Sequence, residues 1–139
     1  MKTLSLLQPW ASLVVLGVKK IETRSWTTRH RGDLLIHASK GRSGALLCQE
    51  PPFTKYISDF NTLPFGAIIG KVYLQEVVPI GSLAFSDAYI NALALEERAF
   101  GDYTPGRYAW LLCEPVIFDA PIFTGGALNL WEFDEARII

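Results

Sequence analysis

The feature that most constrains this chain is a change of period inside Gln8–Trp26, which reads QPWASLVVLGVKKIETRSW. Pro9 suits the first position of a helix, because its missing N–H would find no intrahelical partner there and its fixed φ already matches. Trp10, Leu13, Val14 and Gly17 fall at i, i+3, i+4 and i+7, which predicts a short helix with one apolar stripe on a core and a stop at Gly17. From Lys20 the period becomes two: Lys20, Glu22, Arg24 and Trp26 share one strand face, and Ile21, Thr23 and Ser25 the other. On an ordinary edge strand such charges form a solvated ion-pair face that contributes little. Here Lys19 and Lys20 stand where the helix ends, Glu22 is within reach of either, and Trp10 and Trp26 bracket the stretch. Large aromatics beside fixed charges suit a flat, polar ligand.

The rest of the chain alternates short apolar runs with turn residues. Residues 3–7 read as a first strand leading into Gln8, whose side chain is placed either to cap the helix or to read the edge of a base. After a polar turn with Gly32, LLIHAS reads as a half-buried strand, with Ser39 and Lys40 just past its end, where binding residues concentrate. His37, without a Ser or Asp partner pattern, reads as a strand histidine rather than a catalyst. SGALLCQE predicts a short helix ended by Pro51 and Pro52, FTKYISDF another, and Phe53, Tyr56 and Phe60 are core contacts at helical spacing. Residues 67–78 predict a long strand bulged or closely packed at its glycines, with Glu76 pointing outward. A helix is predicted from Ser86 as N-cap to Gly101, with Glu96, Glu97 and Arg98 as its solvated face. Residues 107–112, VIFDAPIF and LNLWEF supply the last strands, with Tyr108 and Trp110 as packing residues or as one wall of a pocket.

At 139 residues, half of them apolar and 19% charged, the chain predicts a single domain over 1–139 with one core and no disordered tail. Cys48 and Cys113 lack metal-ligand spacing, so two buried free thiols are expected. No signal-peptide pattern or membrane-length apolar run is present, which predicts a cytoplasmic protein without a membrane partner. The net charge of −1 hides an asymmetry: before position 43 eight cations face only Glu22 and Asp33. That polarity hints at a polyanion contact if the cations converge on one face. No GxxxxGK[ST], GxGxxG or HExxH pattern occurs, so neither a metal nor a cofactor is expected. Many short strands with few short helices argue for an α+β, mainly β fold built on a small curled or closed antiparallel sheet.

The runs QPW, GVKKIETRSW and RGDLLIHAS resemble the signature of the ASCH (activating signal cointegrator homology) domain. Gly17, Lys19, Glu22 and Arg24 fill its core motif G-x-K-x-x-E-x-R, and the likeness continues through LPFGAIIGKVYL, GRYAWLL and GGALNLWEF. The resemblance implies a PUA-like β-barrel of about five to seven mostly antiparallel strands with short flanking helices. It also implies a cleft between the first helix and the barrel, with RNA or a modified nucleoside as partner. Gln8, Trp10, Lys19, Glu22, Arg24, Trp26, Ser39 and Lys40 are the ligand-binding candidates. Some small members are amidohydrolases acting on N4-acetylcytidine through a lysine, a threonine and a glutamate. Lys19 matches that lysine, but Glu22 stands where the threonine nucleophile would be, and Thr23 falls on the other strand face. An enzymatic variant would have Lys19 stabilise an oxyanion and Glu22 activate water. A metal-independent ribonuclease, with Lys and Arg stabilising a phosphorane-like state, is the other enzymatic expectation.

Overall fold

Gly17 is where the chain leaves its first helix. In the computed structural model, which describes residues 1–138, strand β1 (Lys2–Leu6) runs into helix α1 (Trp10–Val15), with Pro9 as its N-cap rather than its first helical residue. Gly17 adopts φ +80°, the left-handed conformation that lets Val18 and Lys19 N–H groups turn back onto the Leu13 carbonyl at 3.2 and 3.1 Å. Six residues are too few to hold a helix alone. Burial of Ala11, Leu13, Val14 and Val15 holds it instead, at roughly 1.5–3 kcal/mol for each large side chain.

The remaining strands are β2 (Ile21–Arg24), β3 (Gly32–Ala38), β4 (Ala67–Pro79), β5 (Tyr108–Phe123) and β6 (Leu130–Glu132). They form one six-stranded sheet in the order β2-β5-β4-β3-β1-β6. Among these pairings only β1–β3 is parallel. The sheet is strongly curled: Arg24 on edge strand β2 donates from Nη2 to the Ser5 carbonyl on β1 at 3.0 Å, although three strands separate them in the sheet. This is the mainly β, PUA-like architecture expected, as a curled half-barrel with two free edges. Gly70 marks an irregularity in the β4–β5 register. A Cβ there would lie 2.2 Å from the Val116 carbonyl oxygen and 2.8 Å from Val15 Cγ1, so its absence lets α1 and β5 close on β4.

Three local expectations are corrected. The two strands predicted around 107–123 are the single strand β5, which bends instead of stopping because Glu114, at φ 51°, sits in a bulge between Cys113 and Val116. The helix predicted from Ser86 to Gly101 is two, α2 (Asp87–Ala92) and α3 (Leu95–Ala99). Ser86 does cap the first through the Tyr89 N–H, but Leu93 turns extended to pack on Ile21, Ile80, Phe85 and Ala109, so tertiary burial overrides local propensity. Residues 43–50 and 53–60 hold only single 3₁₀ turns, Leu47–Gln49, Phe53–Lys55 and the start of Phe60–Thr62, with Phe53 and Phe60 buried in one cluster with Leu13, Cys48 and Phe100. Both cysteines are free. Cys48 is buried, which pushes its thiol pKa up, whereas Cys113 is half-exposed rather than buried. No helix among the described residues is long and apolar enough to cross a membrane.

Candidate functional site

The turn out of α1 aims Lys19 inward. Its side chain has no exposed surface, and a buried ammonium must be paired. Nζ donates to the Ile21 carbonyl and lies 3.2 Å from Glu22 Oε1, while Glu22 Oε2 lies 3.1 Å from Arg24 Nε. One carboxylate thus bridges an inner and an outer cation. Arg24 Nε is too poorly aligned to make a hydrogen bond, so that half of the bridge is electrostatic. The guanidinium is held a second time by the Nη2 bond to Ser5, while Nη1 makes no hydrogen bond among the described residues and is not buried.

Arg24 stands between two adjoining lobes of a cleft. The first, about 420 Å³, has Glu22, Thr23 and Arg24 as its floor, Trp10 and Ala99–Asp102 on one side, and Ser5, Leu6, Leu7 and Ser39 on the other. Trp10 is fixed by its Nε1–H donating to the Phe100 carbonyl at 2.9 Å. Thr23 Oγ1 accepts the Asp102 N–H at 3.2 Å, which folds the 100–103 turn over the strand. Thr23 therefore lines the cleft instead of facing away from it. Hydrogen bonds from the Thr104 hydroxyl and N–H hold the Asp102 carboxyl below its usual range, and its Oδ2 lies 3.6 Å from Arg107 Nε, so this wall carries a paired carboxylate.

The second lobe, about 590 Å³, shares Ser5, Arg24 and Ser39 with the first and adds Trp26, His37, Lys40 and the loop from Thr124 to Asn129. Trp26 sits edge-to-face on buried Trp110, with ring centroids 4.9 Å apart at 83°, an arrangement that supports it from behind. His37 is buried and fully bonded: Nε2 lies 2.8 Å from the Thr124 carbonyl and Nδ1 3.0 Å from Ser5 Oγ. The carbonyl accepts only, so the proton belongs on Nε2 and the Ser5 hydroxyl donates to Nδ1 while accepting Trp131 Nε1–H at 3.0 Å. Gly126 lies against this trio, where a Cβ would come within 2.7 Å of Ser5 Oγ and of the imidazole.

Behind the first lobe, Glu97 is buried rather than solvated. Its Oε1 accepts the Lys20 N–H at 2.7 Å and its Oε2 has no partner. Burial raises its pKa even with Lys19 nearby. The Tyr103 hydroxyl donates to the Glu97 carbonyl at 3.3 Å, and burial, with the charges of Glu97 and Glu22, pushes that phenol well above its ordinary range.

Of the residues singled out from sequence, Trp10, Glu22, Arg24 and Ser39 meet in the first lobe, and Arg24, Trp26, Ser39 and Lys40 in the second. Three do not open into it. Lys19 is sealed behind Glu22, and Lys20, its exposed neighbour, is absent from both lobes. Gln8 is buried as a cap: Oε1 accepts the Ser12 N–H at 3.0 Å and Nε2 donates to the Pro64 carbonyl at 2.9 Å, which leaves no base-reading edge. The amino-terminal cations also fail to converge. Lys2 pairs with Glu132, Arg31 with Glu76, and Arg42 lies over Phe60 and Phe65, so only Arg24 and Lys40 reach the cleft. Ser5 and Asp102 were not singled out, and His37, read from sequence as a strand histidine without a Ser partner, does have one: Ser5 is its register partner on β1, a pairing of strands distant in sequence that no local pattern marks. Among the described residues no three His, Cys, Asp or Glu side chains cluster as a metal site would require.

Comparison with known proteins agrees with this architecture. The family model described as the ASCH domain matches residues 4–116. Over 77 residues the chain is 42% identical to activating signal cointegrator 1 of Mus musculus, and 40% identical to that of Homo sapiens. Each match takes in 51% of this chain but only 13% of the relative. The crystal structure of ASCH from Zymomonas mobilis superimposes with a TM-score of 0.58 at 18% identity, covering 99% of this chain and 90% of that one. A point mutant of the same protein gives a TM-score of 0.60 at 19% identity, with 99% and 92% coverage. At such identity the likeness speaks for the fold.

Proposed function

The chain belongs to the ASCH domain family, and from that premise we propose that its cleft binds single-stranded RNA or a modified nucleoside. The observation that carries this reading is Arg24, a guanidinium held by Glu22 and by the Ser5 carbonyl, with one nitrogen open, between two lobes that each contain a tryptophan. A pinned guanidinium is suited to phosphate or to the carbonyl edge of a base, since it loses little freedom on binding. Stacking on an indole contributes about 1–3 kcal/mol per base and accepts any ring. Glu22 and Asp102 supply acceptors for exocyclic amines.

Binding is favoured over hydrolysis by two observations. The lysine of the motif is enclosed, with its ammonium used by Glu22 and the Ile21 carbonyl, and so is not free to polarise a substrate carbonyl. The position expected to carry a nucleophilic hydroxyl carries Glu22, whose carboxylate is held between two cations. Titration of tryptophan fluorescence with a short single-stranded RNA, and with N4-acetylcytidine, each followed by product analysis, tests the reading. The expected result is saturable binding weakened at least tenfold by Arg24→Gln, with both ligands recovered intact. Release of acetate or cleavage of the RNA would replace binding by catalysis as the activity of this cleft.

A further inference from the structure

Resting on that binding reading, we infer that the cleft takes two consecutive nucleotides of a single strand, with an amine-bearing base in the first lobe and the linking phosphate on Arg24 and Lys40. The lobes differ in charge. The first contains the Glu22 and Asp102 carboxylates, whereas the second has Lys40 and no carboxylate along its walls. Both first-lobe carboxylates are already paired, Glu22 with Lys19 and Arg24 and Asp102 with Arg107 at 3.6 Å, so that lobe offers acceptor oxygens to the N–H groups of a base, while Lys40, with no ion-pair partner among the described residues, draws a phosphate to the second.

Arg24 lies on the boundary. Its Nε faces Glu22 and one Nη2 N–H the Ser5 carbonyl, which leaves the Nη1 donors and the second Nη2 N–H for a ligand crossing between the lobes. Lys40 is exposed and lies on the far side of that crossing, its stem packed against Gly66, where a Cβ would come within 2.8 Å of Lys40 Cε. The two volumes, about 420 and 590 Å³, each fall in the range of a small-molecule pocket, and each has its own indole. A free nucleoside would occupy the first lobe and leave Lys40 unused. Bases separated in this way must be unstacked from a helix, which single strands allow and duplexes resist.

The test compares adenosine with the dinucleoside monophosphates ApU and UpA, which cover both chain directions. Further arms are IpU and UpI, which lack the exocyclic amine, and methylphosphonate analogues with an uncharged linkage. The tighter of ApU and UpA is expected to bind at least tenfold better than adenosine. Most of that gain should disappear with the uncharged linkage and in Lys40→Ala. The inosine analogues should bind about tenfold more weakly than their adenosine counterparts. Equal affinities for adenosine and the dinucleotides, with longer RNA still binding, would overturn the two-nucleotide inference alone. Failure of every RNA to bind would remove the binding reading and this inference with it.

Discussion

Arg24 is held at Nε by Glu22, 3.1 Å away, and at Nη2 by the Ser5 carbonyl, 3.0 Å away, and this double attachment depends on Lys19 beneath it. Lys19 is therefore a structural cation. Replacing it with Met keeps the volume but leaves the nearly buried Glu22 carboxylate with one partner, and urea unfolding should show a loss of about 3 kcal/mol with an unchanged slope. Glu97 behaves differently, because burial raises the pKa of its carboxyl. A raised folded-state pKa contributes stability that is complete below the unfolded value and is lost as pH rises through the folded one. Glu97→Gln cannot undergo that loss. Its melting temperature relative to the parent should climb as pH rises above the ordinary glutamate value of about 4.3, and an offset that stays constant over that rise would contradict the assignment. The period-two reading of the motif put Lys20, Glu22, Arg24 and Trp26 on one strand face; Glu22, Arg24 and Trp26 line the two lobes, Lys20 does not, and Thr23 from the other face does. It could not tell that Lys19 would be enclosed, since depth beneath a strand has no signature in spacing.

At the scale of elements, the six-residue α1 is held by what packs on it, and Gly70 sets how closely it can approach the sheet. Gly70→Ala would drive a methyl into the Val116 carbonyl and the Val15 side chain, neither of which is the free end of a flexible group. It should destabilise by about 1–3 kcal/mol or more, read from thermal or urea unfolding. The other wall of the first lobe is tied to α1 by the packing of Phe100 with Leu13 and by the hydrogen bond from Trp10 Nε1–H to the Phe100 carbonyl. Trp10→Phe keeps a stacking face but removes that donor. It should reduce stability by about 1 kcal/mol and weaken ligand binding more than the smaller ring alone would, as a comparison of ligand titrations and melts can establish. The strands and α1 were legible because alternation and a proline–glycine bracket are local signals. The break between α2 and α3 was not, because Leu93 leaves the helix for a pocket built by residues far away in sequence.

For the molecule as a whole, charge placement matters more than charge count. The amino-terminal third holds eight cations against two carboxylates, yet ion pairs with Glu132 and Glu76 and the enclosure of Lys19 leave Arg24 and Lys40 facing the cleft. With one linking phosphate neutralised, log K for single-stranded RNA should fall against log salt with a slope of about −0.7. A slope several times steeper would mean that the binding surface extends well beyond the cleft. Sequence by itself determined the family, the mainly β architecture and the aromatic and charged residues around Arg24, because motif spacing and hydrophobic period are properties of neighbours along the chain. Only the tertiary structure decided which of those residues are open. It did so through the curl that carries edge strand β2 across to β1, since a cleft made by closing a sheet on itself is assembled from residues that no local rule brings together.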